Sequence, residues 1–210
     1  MGRYTNILSH LLDEAGPRNA WGFWADFAII LYAMQDDVLQ AADQSEQWAE
    51  LVCTCVRQIH DFPIDHWEPQ KNISKGCVVI VRKILQDLPE DRQVFRQNTA
   101  ALLDELLQQM IDRKYIVDLI TPLSLADLMA AMVVPQEPCR ILDPVCGSGR
   151  LLLAARRVNP AANLLGFEIS ESISAAARLR LGMEENGNSD VEQTDFFLKT
   201  PYLEQRFDVI

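Results

Sequence analysis

The last hundred residues of this chain predict a parallel α/β sheet, and the first hundred-odd predict helices alone. From about residue 115 short apolar runs of strand type alternate with helical stretches, as when parallel strands are joined by helical crossovers. Before that point apolar residues recur at helical spacing, with almost no strand signal. The third observation is the run Ile141-Leu-Asp-Pro-Val-Cys-Gly-Ser-Gly-Arg-Leu-Leu-Leu-Ala-Ala155. It reads as a buried strand that passes through a tight glycine loop into a helix. Such a join builds a nucleotide-type ligand site at the carboxyl edge of a sheet. The sequence is therefore divided into a helical domain, residues 1–115, and a sheet domain, residues 116–210.

The helical domain opens with an amphipathic helix over residues 4–15, stopped by Gly16-Pro17. Residues 20–42 carry Trp21, Phe23, Trp24, Phe27, Ile30, Leu31 and Met34 on nearly all sides, so other helices must cover this one. A third helix is predicted over 47–60 and a fourth over 74–88. A fifth starts at Pro89-Glu-Asp91 and runs to about Arg113. In the sheet domain Thr121 is read as an N-cap and Pro122 as the first turn of a helix reaching about Met132. Strand 139–143 follows, then helix 149–158, closed by Asn159-Pro160. Residues 163–168 form the second strand, and Ser170 caps a helix to about Glu185, ended by Asn186-Gly187. Residues 190–193 give a third strand and 207–210 begin a fourth.

Composition narrows the function. The formal net charge is −11. Autonomous DNA binding rests on neutralising phosphates with a basic surface, so this chain would grip DNA only inside a larger complex. Five cysteines, an odd number without a disulfide-like framework, indicate a reducing compartment. Cys53 and Cys55, near His60 and His66, match no usual zinc spacing and are read as packed, reduced thiols, so no metal site is expected. The first residues lack the apolar core of a signal peptide, and the greasy run 21–34 contains Asp26 and is too short to span a bilayer. A cytoplasmic protein is the expectation. The four tryptophans, Trp21, Trp24, Trp48 and Trp67, could form a stacking platform for bases. Three of them sit at helical positions suited to a core, which is the preferred reading.

The glycine loop decides the ligand. A dinucleotide fingerprint needs a third glycine for close helix packing, and position 152 is Leu152. A nicotinamide or flavin site is set aside on that ground. Glu168 ends the second strand, 168 − 147 = 21 residues past Gly147. A carboxylate there can accept two hydrogen bonds from a ribose diol, and its pairing with the loop favours that role over a plain helix cap. Asp195 follows the third strand, where a short acid can accept from the exocyclic amine of adenine, although Asp is common in such turns. Phe196 and Phe197 could equally pack on the adenine or close the core.

Asp143-Pro144-Val145-Cys146-Gly147-Ser148-Gly149 resembles the cofactor loop of N6-adenine DNA methyltransferases. The likeness is closest to the modification subunit of type I restriction–modification systems, in which a Thr-Pro-headed helix also precedes the loop. The resemblance covers about residues 118–210. It implies a partial Rossmann-like S-adenosylmethionine-dependent methyltransferase sheet preceded by an all-helical N-terminal domain. It also implies that the Gly147-Ser148-Gly149 loop, with Pro144 and Cys146, holds the methionine part of S-adenosylmethionine. By the same likeness Thr121 would bind its carboxylate and Asp143 would lie near its amino group. Glu168 with Ile169 would take the ribose, and Asp195 with Phe196 the adenine.

The family's tetrapeptide Asn/Asp-Pro-Pro-Tyr/Phe, expected just beyond the fourth strand, is absent from the 210 residues. It would hold and activate a flipped adenine. The sequence is accordingly expected to be a fragment or truncated product, cofactor-binding but inactive alone, with no catalytic residue of its own. DNA and a specificity subunit are its expected partners. Two other readings stay open: a non-catalytic interaction module, prone to self-association through its exposed edge, and a methyltransferase acting on RNA, protein or a small molecule.

Overall fold

The computed structural model describes residues 4–17, 20–33, 47–59, 67–88, 92–116, 120–183, 188–198 and 206–210. Two units emerge, Met1–Val117 and Asp118–Ile210.

In the first unit, helix α1 (Thr5–Ala15) buries Leu8, Leu11 and Leu12, and Gly16 at φ +71° ends it by returning its N–H to the Leu12 carbonyl. Helix α2 (Ala20–Ala33) is apolar all round and is buried all round. It is packed by α3 (Trp48–Gln58) and α5 (Arg92–Asp112), while α4 (Lys75–Gln86) lies against α1 and α3. Ser74 caps α4 by accepting from the Gly76 N–H at 3.0 Å. Trp24 and Trp48 are core residues, and the Trp24 indole donates to the Leu103 carbonyl at 3.1 Å. Trp21 meets Trp24 edge-on, so these rings serve packing rather than a stacking platform.

One charged group sits in this core. Asp26 is fully buried and accepts from the indoles of Trp48 and Trp67 and from the backbone N–H of Gln70, each at 2.8 Å. Gly22, one turn earlier on α2, leaves the room that the Gln70 side chain fills. Of the two cysteines expected to be packed thiols, Cys55 is buried and Cys53 is only half-buried. The expected helix beyond Ala33, the histidines His60 and His66, and the Pro89 helix start lie outside the described residues.

The second unit is a parallel sheet in the order β1 (Arg140–Asp143), β2 (Asn163–Glu168), β3 (Ser189–Gln193). Asp143 pairs in register with Gly166, and Glu168 with Gln193, so all three strands point the same way. The expected fourth strand is a single parallel bridge, Ile141 to Val209, on the edge of β1 away from β2. Helix α6 (Leu123–Val133) packs on α7 (Arg150–Val158), which lies against β1 and β2, and α8 (Glu171–Gly182) lies against β2 and β3. The parallel α/β class read from the sequence is the class observed.

Two boundaries differ from expectation. Thr121 does not cap α6. Pro122 is the cap residue, with extended backbone at φ −57° and ψ 145°, and its carbonyl takes the first helical bond from Ala126 at 2.9 Å. Helix α8 ends at Gly182, the poorest helix former short of proline, rather than near Glu185. Ser170 precedes α8 but its hydroxyl makes no capping bond. Among the described residues no helix is long and apolar enough to cross a membrane.

Candidate cofactor site

The carboxyl ends of the three strands put the sequence-selected residues along one edge. At the tip of β1 the Asp143 carboxylate accepts from the Val145 N–H at 3.1 Å, turning the chain into the loop. The Cys146 N–H then donates to the Phe167 carbonyl of β2 at 2.8 Å, and Gly149 N–H to the Cys146 carbonyl at 2.9 Å. Gly147 and Gly149 both take left-handed backbone, φ +52° and +78°, which side-chain-bearing residues adopt at a cost. Gly149 thereby caps α7. Around the place of a Gly147 Cβ there is nothing within 4 Å, so the loop's outer face leaves room for a ligand.

The third glycine missing at position 152 has a counterpart across the interface. A Cβ on Gly166 would lie 2.7 Å from Cys146 Sγ and 2.9 Å from Leu152 Cδ1. Close approach of helix and strand is thus supplied from the strand side, and Leu152 fills the space that Gly166 leaves. Cys146 uses its side chain to pack inward against Gly166. Burial, reinforced by Asp143 and then Glu168, pushes that thiol far up, so it is no nucleophile.

The acids are partly engaged. Asp143 is buried, and its carboxyl is raised by burial first and by the charge of Glu168 second. Glu168 accepts from the Ser170 N–H at 2.8 Å, a bond that shapes the turn into α8. Asp195 accepts from the Phe197 N–H at 3.0 Å, an ordinary Asx turn. A carboxylate offers about four lone-pair sites, so each acid keeps acceptor capacity. Phe196 leans on the ring of Phe167, centroids 5.6 Å apart, while Phe197 is 83 % exposed. Pro144 is half-buried, Ser148 buried, and Val145 and Ile169 stand out into solvent. Thr121 is half-buried, and its carbonyl accepts from Arg150 Nη1 at 3.2 Å.

Sequence reading missed the buried arginines. Arg150, Arg156 and Arg180 are each nearly inaccessible. Arg180 donates from α8 to the Ser148 carbonyl at 3.0 Å, and Arg156 donates to the carbonyls of Pro160, Ala162 and Asn188. The available signal was spacing. Arg180 lies three and four residues beyond Ala177 and Ala176, on the face that packs inward.

A hollow of about 130 Å³ lies beside the site, lined by Ile141, Leu152 and Val209 and reaching Asp143 and Pro144. It touches neither loop glycine, Glu168 nor Asp195. It is an apolar groove next to the strand tips. Among the described residues no cluster of His, Cys, Asp and Glu could hold a metal.

Residues 135–210 match the methyltransferase domain family. That match falls within the C-terminal unit. Over 65 residues the chain is 40 % identical to the type II methyltransferase M.HindIII of Haemophilus influenzae, covering 31 % of this chain and 20 % of that protein. A solved chain of the type I R-M system superposes with a TM-score of 0.63 at 13 % identity, covering 98 % of this chain and 53 % of its own. A modification subunit ascribed to a type I restriction enzyme from Vibrio vulnificus YJ016 does so at 0.51 and 13 %, over 96 % of this chain and 56 % of its own. This chain therefore spans a fifth of the curated relative it matches and about half of each solved one. The expected likeness to restriction–modification methyltransferases is borne out, with one addition: the sequence relative is of type II, and these two solved relatives are of type I.

Proposed function

We propose that this chain holds S-adenosylmethionine for N6-adenine methylation of DNA. The observation that carries the reading is one sheet edge bearing Asp143, the Gly147-Ser148-Gly149 loop with its two left-handed glycines, and Glu168 together. The loop and Thr121 take the amino-acid end of the ligand, with Asp143 beside its amino group. Glu168 and Ile169 hold the ribose, and Asp195 with Phe196 the adenine. When bound, S-adenosylmethionine supplies an electrophilic methyl group on a sulfonium. The chain's own residues bind and orient; the acceptor chemistry belongs to the Asn/Asp-Pro-Pro-Tyr/Phe tetrapeptide, which is not among these 210 residues. With a net charge of −11, the chain meets DNA through an assembly, and a specificity subunit in the cytoplasm is the partner that fits.

Titration calorimetry with S-adenosylhomocysteine tests this. The chain should bind one equivalent, and Glu168→Ala should weaken binding at least about tenfold, the loss of charged-acceptor bonds to a diol. A folded chain that takes up no ligand sinks the reading.

A further inference from the structure

The two buried arginines nearest the loop do more than fill the core. Each donates to a backbone carbonyl of a segment assigned to the ligand's amino-acid end: Arg180 to Ser148 at 3.0 Å, Arg150 to Thr121 at 3.2 Å. A guanidinium stays charged at any working pH and is costly to bury, so it is a poor choice where an aliphatic chain would pack as well. Bonds from a charged donor are also stronger and more directional than neutral ones. Arg180 is 1 % and Arg150 3 % exposed. Their anchorage differs in origin. Arg180 reaches from α8 across 32 residues of chain, and Arg150 ties back across 29 to the segment ahead of α6. Gly149 precedes Arg150 in the loop, and a Cβ added to it would come into van der Waals range of Ala177 and Leu181 of α8.

We propose that Arg150 and Arg180 are positioning residues of the methyl-donor site, Arg180 setting the glycine loop on α8 and Arg150 setting Thr121 against that loop. The inference rests on the donor-site reading above. It has a specific consequence, because Glu168 and Asp195 make no described bond to either arginine. Loss of an arginine should weaken the grip on the amino-acid end and spare the nucleoside end.

Two ligands separate these ends: S-adenosylhomocysteine, which has both, and 5′-methylthioadenosine, which lacks the amino acid. Arg180→Gln should lose about tenfold in affinity for the first, the worth of one charged-donor bond, and less than about twofold for the second. Arg180→Lys, which keeps a charged donor, should recover most of the loss. Arg150→Gln should show the same split and leaves α8 untouched, so it carries the test should Arg180→Gln fail to fold. Equal losses on the two ligands, in a variant whose circular dichroism matches the parent, overturn the positioning role and leave the donor site standing. A parent chain that binds neither ligand overturns both.

Discussion

Gly166 and Gly147 need to be glycine for different reasons. At Gly147 the backbone requires it, since φ is +52° and the space beside it is open. At Gly166 the neighbours require it, with Cys146 Sγ and Leu152 Cδ1 both inside 3.0 Å of an added Cβ. Gly166→Ala should therefore destabilise the C-terminal unit by about 1–3 kcal/mol, the ordinary cost of overpacking. Urea unfolding followed by far-ultraviolet dichroism measures it, and an unchanged midpoint would refute the contact. Asp26 offers a test of opposite character. Burial holds its carboxyl up at about 6 against an ordinary 3.8, while its bonds to Gln70, Trp48 and Trp67 pull it down. Near pH 5 the folded chain keeps a proton that the unfolded chain has released. The stability linked to Asp26 is thus greatest below its ordinary value, and is lost as pH rises through about 6. Between neutral pH and about pH 4 this is worth roughly 2 kcal/mol. Asp26→Asn, which removes the titration and one acceptor, should show a larger deficit at about pH 4.5 than at about pH 7.5; equal deficits would refute the displaced carboxyl.

At the scale of the element, strand tips were legible and tertiary partners were not. β2 was read residue for residue because Asn163–Glu168 is bounded by Pro160 on one side and Ser170 on the other. The Asp143 and Glu168 positions followed from that periodicity alone. The helix start at Thr121 was misread by one residue, since Pro fits both the cap and the first turn and only its ψ of 145° decides. Gly166 was invisible, because its reason is Leu152, fourteen positions earlier and on another element. The arginines were hidden by the rule that charge faces water, which Arg180 breaks by spending its charge on the Ser148 carbonyl. The residues that sequence reasoning missed share one property: each is explained by a neighbour across the fold rather than along the chain.

Over the whole molecule, charge and tryptophan are distributed in telling ways. With 30 acidic against 19 basic side chains, the chain alone should give no complex with duplex DNA in a gel-shift assay at ~0.15 M salt. A stable complex under those conditions would reverse the assignment of DNA contacts to partners. All four tryptophans lie between residues 21 and 67, so the C-terminal unit has none. Two of them, Trp48 and Trp67, donate their indole N–H groups to the buried Asp26 carboxylate. Tryptophan emission is therefore a private channel of the helical unit, tuned by the charge state of one carboxyl group. Fluorescence then follows one half of the protein while calorimetry follows ligand uptake by the other, without a label on either.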